Sequence, residues 1–125
     1  MTARGQLGRE GEAIAARHLE DAGWTVLERN YRAGRNEVDL IVRRGRTVAF
    51  VEVKARRGTG FGHPLEAITE RKKGEIAKVA RAWMHARGGL RGLSLRFDAV
   101  AVQFGSARDA SRVPHVDHVA DAWRL

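Results

Sequence analysis

Two β-rich runs on either side of Arg44-Gly45 constrain the fold more than any other part of the chain. The run at residues 37–43 alternates apolar and charged side chains, and the run at residues 47–56 is rich in β-branched residues. Two such runs joined by a very short connection predict an antiparallel hairpin. We expect Arg44-Gly45 to be its two-residue loop, closed by Arg43 and Arg46.

The register of that hairpin decides which charged side chains share a face. With Arg44-Gly45 as the loop, Glu37 lies opposite Glu52, and side chains two residues apart on a strand project to the same side. Asp39 then lies on a diagonal from Glu52, with Cβ atoms about 7–8 Å apart. This register predicts that the three carboxylates and Lys54 share one face of the sheet.

Three carboxylates on one face repel each other unless a cation neutralises them. Mg²⁺ prefers oxygen ligands, and a lysine beside the metal stabilises the charge on a phosphate undergoing hydrolysis. Asp39, Glu52 and Lys54 are therefore candidates for phosphodiester chemistry. The same pattern also fits cross-strand salt bridges on a solvated sheet face.

The excess positive charge of the chain lies in two segments. There are 23 Lys and Arg against 15 Asp and Glu, which gives a net charge of +8. Residues 29–57 hold nine basic and three acidic side chains, and residues 71–96 hold eight basic and one acidic. This distribution favours a polyanionic partner, although charge runs also occur as solvated faces.

Helical and β-type patterns continue on both sides of the hairpin. Residues 7–22 predict a first helix, residues 24–31 a first strand and residues 93–104 a strand that follows the second helix. Pro64 and Thr69 open that second helix, which is amphipathic and basic. The order αβββαβ with a short C-terminal element predicts an α/β domain with a mixed sheet flanked by helices.

Length and composition exclude several classes of protein. The 125 residues have room for one domain, spanning 1–125. Cysteine is absent, which excludes disulfide frameworks and Cys-type zinc sites. The apolar runs are far shorter than the about 20 residues of a membrane helix, and Met1 is not followed by the apolar segment of a secretory signal. We therefore expect a cytoplasmic protein. Since no Gly-rich phosphate loop precedes a helix, P-loop nucleotide hydrolysis is excluded.

Glu12 lies at the border of the apolar face of the first predicted helix. Ala15, Ala16 and Leu19 follow it at three, four and seven residues, so its side chain can reach over the sheet. The other interpretation is a surface carboxylate near a helix start, where the helix dipole favours an anion.

Ordered motifs along the chain match those of a known family. Two of them are Glu37-Val38-Asp39-Leu40-Ile41 and Val51-Glu52-Val53-Lys54-Ala55-Arg56. The others are Gly11-Glu12-x-x-Ala15, Arg29-Asn30-Tyr31-Arg32, Phe61-Gly62-x-Pro64, Thr69-x-x-Lys72, Arg96-Phe97-Asp98 and His118-Val119-x-x-Ala122-Trp123. Together they resemble the YraN-like family of small bacterial proteins, within the PD-(D/E)XK nuclease superfamily.

The resemblance implies a restriction-endonuclease-like fold and kinship with archaeal Holliday-junction resolvases. Carried over, Asp39, Glu52 and Glu12 would be ligands of Mg²⁺ or Mn²⁺, and Lys54 would be the catalytic lysine. Glu37 would be an additional acid. Kinship with resolvases also implies a homodimer, since a junction has two symmetric strands to cut.

Three hypotheses follow. The first is an Mg²⁺- or Mn²⁺-dependent endonuclease that acts on branched, single-stranded or damaged DNA. Its phosphate contacts would come from Arg56, Arg57, Arg71, Lys72, Lys73 and Lys78. The second is an inactive nucleic-acid-binding module on the same scaffold. The third is an interaction protein whose basic helix docks an acidic partner.

Overall fold

A five-stranded sheet forms the centre of the fold. The computed structural model describes residues 3–58, 64–89, 91–105 and 113–124. Its elements in chain order are α1 Ala3–Asp21, β1 Thr25–Ala33, β2 Asn36–Arg44, β3 Thr47–Arg57, a 3₁₀ turn Pro64–Ala67, α2 Glu70–Ala86, β4 Ser94–Phe104 and β5 His115–Trp123.

The strands lie in the sheet in chain order, from β1 to β5. β3 and β4 are parallel, and every other neighbouring pair is antiparallel. Parallel neighbours need a crossover connection, and α2 lies within the one between β3 and β4. This confirms the predicted α/β class with a mixed sheet flanked by helices.

The two helices cover opposite faces of the sheet. α2 starts at Thr69, whose Oγ1 accepts a hydrogen bond from the backbone N–H of Lys72 over 3.1 Å. Its apolar stripe packs on one face through Ile76, Val79, Ala80 and Trp83. α1 packs on the other face through Ala15, Ala16 and Leu19. No helix among these described segments is long and apolar enough to span a membrane.

The register of the central hairpin differs from the predicted one. Arg44 pairs with Thr47, so the loop is Gly45-Arg46 rather than Arg44-Gly45. Gly45 has a φ of +61°, which glycine adopts without the penalty of a Cβ atom, and it therefore takes the first loop position. The partner of each β2 residue lies two positions further along β3 than predicted. Because a strand repeats every two residues, this shift alone would leave every side chain on its predicted face. β2 nevertheless departs from the prediction, since Val38 and Leu40 pack on opposite faces of the sheet.

The C-terminal segment forms a full strand, where the sequence predicted only a short element. β5 pairs with β4, and the Trp123 ring stacks on Phe97 with centroids 5.6 Å apart. The Phe61-Gly62 part of one sequence motif lies outside the described residues.

Candidate active site

The central hairpin opens at the end far from its loop. β2 and β3 are paired as far as Leu40 and Val51. Beyond that point β2 stays paired with β1, and β3 stays paired with β4. We call the opening between residues 36–39 and residues 52–55 the strand fork.

Asp39 lies where the strand fork begins. Its Oδ2 accepts a hydrogen bond from the backbone N–H of Val53 over 2.7 Å. One further step of the hairpin register would set Asp39 opposite Glu52, and the two carboxyls interact although the backbones no longer pair. Val38 packs on the α2 side of the sheet and Leu40 on the α1 side, although a regular strand would place both on one face. β2 therefore twists at Asp39, which gives its carboxyl access to both sides.

Glu52 is a buried carboxyl on the α2 side of the strand fork, with 3% of its side chain exposed. Burial, together with the hydrogen bond and the negative charge of Asp39, raises the pKa of Glu52 to about 8, whereas Lys72 and Lys54 lower it. The Nζ atoms of Lys54 and Lys72 lie 3.8 and 3.7 Å from Glu52 Oε2. Lys72 also donates to the backbone carbonyl of Glu37 over 3.4 Å, so it bridges the two sides of the fork.

Glu12 approaches Asp39 from the α1 side. A Cβ atom at Gly11 would lie 2.5 Å from the Cβ of Ala55, so only glycine lets α1 come this close to β3. Burial and the charge of Asp39 together raise the pKa of Glu12 to about 7, while a hydrogen bond from Asn30 opposes the shift. Asp39 therefore interacts with a carboxyl from each side of the sheet.

The side chains that the sequence predicted as metal ligands lie close together, but they do not form a metal-binding arrangement. Within the described segments, no three His, Cys, Asp or Glu side chains are arranged to hold a metal ion. The donors are hard oxygen atoms of the type that Mg²⁺ and Mn²⁺ take. Binding at this site would require Glu12 and Glu52, which already interact with Asp39, to lose their protons.

Glu37 has an ion-pair partner of its own. Its carboxylate pairs with Arg32 on the adjacent strand, with Nε and Oε2 3.4 Å apart. Its charge also contributes to the raised pKa of Glu12, and its backbone carbonyl accepts the hydrogen bond from Lys72.

The basic side chains expected to contact phosphates lie in different environments. Lys72 points into the strand fork, which the sequence did not predict. Arg71 pairs with Glu75 over 3.3 Å and Lys73 with Glu70 over 3.0 Å, both within α2. These two acidic partners partly neutralise the exposed surface of the helix.

The other three basic positions lie on β3 and α2. Arg57 is exposed, with its guanidinium carbon 5.7 Å from the ring centroid of Phe104. Arg56 is half-buried and Lys78 is exposed. Arg57 and Lys78 are thus accessible to an anionic partner.

Sequence reasoning gave no role to Arg9, Arg29 or Asn30. With Glu12, Ala13 and Leu40 they line a cavity of about 210 Å³ on the α1 side of the strand fork. Two signals were available: Arg9 precedes Glu12 by about one helical turn, and Arg29-Asn30 is part of a family motif.

A second buried carboxylate, Asp98, lies between β4 and β5. It is fully buried, and Arg96 Nε and Nη2 each donate to it over 2.9 Å. His118 Nε2 lies 2.7 Å from Oδ2, and the Asp121 N–H donates to Oδ1 over 3.0 Å. Burial alone would raise the pKa of Asp98, but the hydrogen bonds from His118, Arg96 and Asp121 hold it below its usual value. Two distant sequence motifs meet here in a network that joins the last two strands.

Comparison with known proteins places the chain in a family. Residues 11–102 match the model of the uncharacterised protein family UPF0102. A UPF0102 protein of Streptomyces coelicolor is 44% identical over 121 residues, covering 96% of this chain and 92% of that protein. One from Chlorobium chlorochromatii is 42% identical over 120 residues, covering 94% and 91%. One from Rhodococcus jostii is 42% identical over 117 residues, covering 94% and 95%. The chain belongs to the UPF0102 family.

Proposed function

We propose that this protein is an Mg²⁺- or Mn²⁺-dependent endonuclease that hydrolyses DNA phosphodiesters, with a restriction-endonuclease-like fold of the PD-(D/E)XK superfamily. One observation carries the proposal. Asp39, at the point where the central hairpin opens, interacts with Glu12 from one side of the sheet and Glu52 from the other. In addition to burial, the charge of Asp39 raises the pKa of both Glu12 and Glu52, and such an arrangement of carboxyls favours a cation between them.

Each side chain has a distinct role in this proposal. Asp39, Glu52 and Glu12 would hold the metal, which supplies Lewis-acid stabilisation to the scissile phosphate when bound. Lys54 would place its ammonium group beside that phosphate and stabilise the charge that develops during hydrolysis. Lys72 fixes the orientation of Glu52 and holds the Glu37 carbonyl.

The charges around the strand fork support an anionic substrate. The carboxyls are enclosed by lysines on the α2 side and by arginines on the α1 side. Contacts of this kind to phosphates give affinity without sequence preference. We therefore propose DNA recognised by its backbone and structure, with branched, single-stranded or damaged DNA as the substrate class.

A second candidate is a nucleic-acid-binding module that lacks activity. The observation in its favour is that the Nζ atoms of Lys54 and Lys72 already lie 3.8 and 3.7 Å from Glu52, while no three potential ligands converge in the described part of the chain. Such a module would bind DNA without any requirement for a metal.

Cleavage of junction, flap and single-stranded DNA by the purified chain, with Mg²⁺ or Mn²⁺, distinguishes the two functions. Asp39→Asn and Lys54→Ala test the site, and Glu10→Gln, an exposed change on α1, is the control. We expect metal-dependent cutting that falls at least about a hundredfold in the two site variants. DNA binding without cutting favours the module. Cutting that survives in both site variants contradicts the proposed active site.

A further inference from the structure

The cavity on the α1 side of the strand fork has the size and chemistry of a subsite. Its volume of about 210 Å³ is below the about 300–1,000 Å³ of pockets that enclose a whole small molecule. It therefore suits one group of a larger substrate. Arg9 and Glu12 come from α1, and Arg29 and Asn30 come from β1.

The two arginines of this cavity differ from the lysines on the other side of the fork. Lys54 and Lys72 both form ion pairs with Glu52. Arg9 and Arg29 are exposed, and neither forms an ion pair with any carboxylate in the part of the chain that the structure describes. A guanidinium group presents several N–H donors in a planar fork that matches a phosphate group.

Asn30 connects the cavity to the carboxyls. Its φ of +49° lies in the left-handed region, which asparagine enters more readily than most residues. The β1–β2 register places it opposite Asp39, between the pairs that Arg29 and Tyr31 form with β2. Its side chain hydrogen-bonds to Glu12. Strained backbone held by its surroundings often occurs at functional sites.

We propose that Arg9 and Arg29 bind a phosphodiester group of the nucleic-acid strand next to the scissile one, and that Asn30 is a positioning residue for Glu12. The inference rests on the proposed function and adds to it the path of the strand. One phosphate lies in the α1-side cavity, and the next lies beside Asp39 at the strand fork.

Binding of fluorescein-labelled single-stranded DNA, followed by anisotropy in EDTA, tests the subsite without turnover. The test protein is the full chain with Arg9→Gln and Arg29→Gln together. The control carries Arg17→Gln and Arg43→Gln, which remove the same charge from exposed positions outside the cavity.

We expect the test protein to bind about tenfold more weakly than the control at moderate salt. The slope of the logarithm of its binding constant against the logarithm of the salt concentration should be smaller by about 1 for each arginine. Equal affinity and equal salt dependence in the two proteins would overturn the subsite. Weaker binding in the test protein, in a chain that cuts no DNA, supports the subsite while the proposed nuclease function fails.

Asn30→Gly tests the positioning role, because glycine accepts the left-handed backbone and lacks the side chain that contacts Glu12. We expect weaker Mn²⁺ binding and a lower kcat, with a loss of DNA affinity in EDTA much smaller than that of the double arginine variant. Unchanged Mn²⁺ affinity together with unchanged kcat overturns the positioning role.

Discussion

The backbone N–H of Val53 donates a hydrogen bond to Asp39 Oδ2 over 2.7 Å, at the point where β2 and β3 cease to pair. The carboxyl thus replaces a missing bond of the sheet while it also interacts with Glu12 and Glu52. One side chain both stabilises the strand fork and belongs to the candidate site.

This double role predicts different results for two substitutions of Asp39. Asp39→Ala leaves the Val53 N–H without its partner, which should lower the free energy of unfolding by about 1–3 kcal/mol. Asp39→Asn keeps an oxygen acceptor, and we expect it to cost less than half as much. Urea unfolding of both variants measures the difference. Equal losses would show that the hydrogen bond does not support the fork.

The close approach of α1 to β3 makes Gly11 a sensitive position. Alanine normally stabilises a helix relative to glycine by up to about 1 kcal/mol. At Gly11 the new Cβ would lie 2.5 Å from that of Ala55, and such overpacking costs about 1–3 kcal/mol. We therefore expect Gly11→Ala to lower the melting temperature.

Gly8→Ala on the same helix is the matched control. A Cβ atom at Gly8 has no neighbouring atom within 4 Å among the described residues, so this change should raise the melting temperature. If both variants are stabilised, α1 does not rest on Ala55 as the structure has it.

The raised pKa values predict that the metal-free protein loses stability as the pH rises. Glu12 and Glu52 have folded pKa values of about 7 and about 8, above the usual 4.5. Their contribution is fully present below about pH 4.5 and is lost as the pH passes through these values. Thermal unfolding in EDTA between about pH 5 and pH 9 measures the loss, and Glu52→Gln should reduce it.

Mn²⁺ should reverse this loss, because it competes with the protons on the same carboxyls. We expect it to raise the melting temperature more at about pH 8.5 than at about pH 6. An equal shift at both pH values would indicate that the ion binds elsewhere.

The network around Asp98 predicts the opposite pH dependence. Its pKa is lowered in the folded protein, so its contribution is present above about pH 4 and is lost as the pH falls below that value. Asp98→Asn removes the charge that Arg96 and His118 contact, at an expected cost of about 3–5 kcal/mol at neutral pH. Urea unfolding at about pH 7 and pH 3 measures the free energy of unfolding, and the difference between Asp98→Asn and wild type should be smaller at the lower pH. A constant difference would contradict the role of the carboxylate charge.

Much of the fold could be predicted from local sequence pattern. Helical periodicity and β-rich alternation gave both helices and the first four strands, because each has an apolar pattern of its own. β5 depends on partners distant in the chain, such as Phe97 for Trp123 and Asp98 for His118, and local pattern does not show them.

Only part of the candidate site could be predicted, because local pattern does not show partners that are distant in the chain. The grouping of Asp39, Glu52 and Lys54 was predicted from strand periodicity, although the register was wrong by two positions and the twist of β2 at Asp39 was not predicted. The inward position of Lys72 and the contact between Asn30 and Glu12 depend on how α2 and β1 pack against the fork. Packing of this kind cannot be read from spacing along one strand.

Calorimetric titration of the purified chain with Mn²⁺ at about pH 8.5 tests the central claim most directly, since the ligands are then ionised without help from the metal. We predict saturable binding in the wild type and in Glu10→Gln, and its loss in Asp39→Asn. Absence of binding in the wild type, or equal affinity in Asp39→Asn, would contradict a metal site at the strand fork.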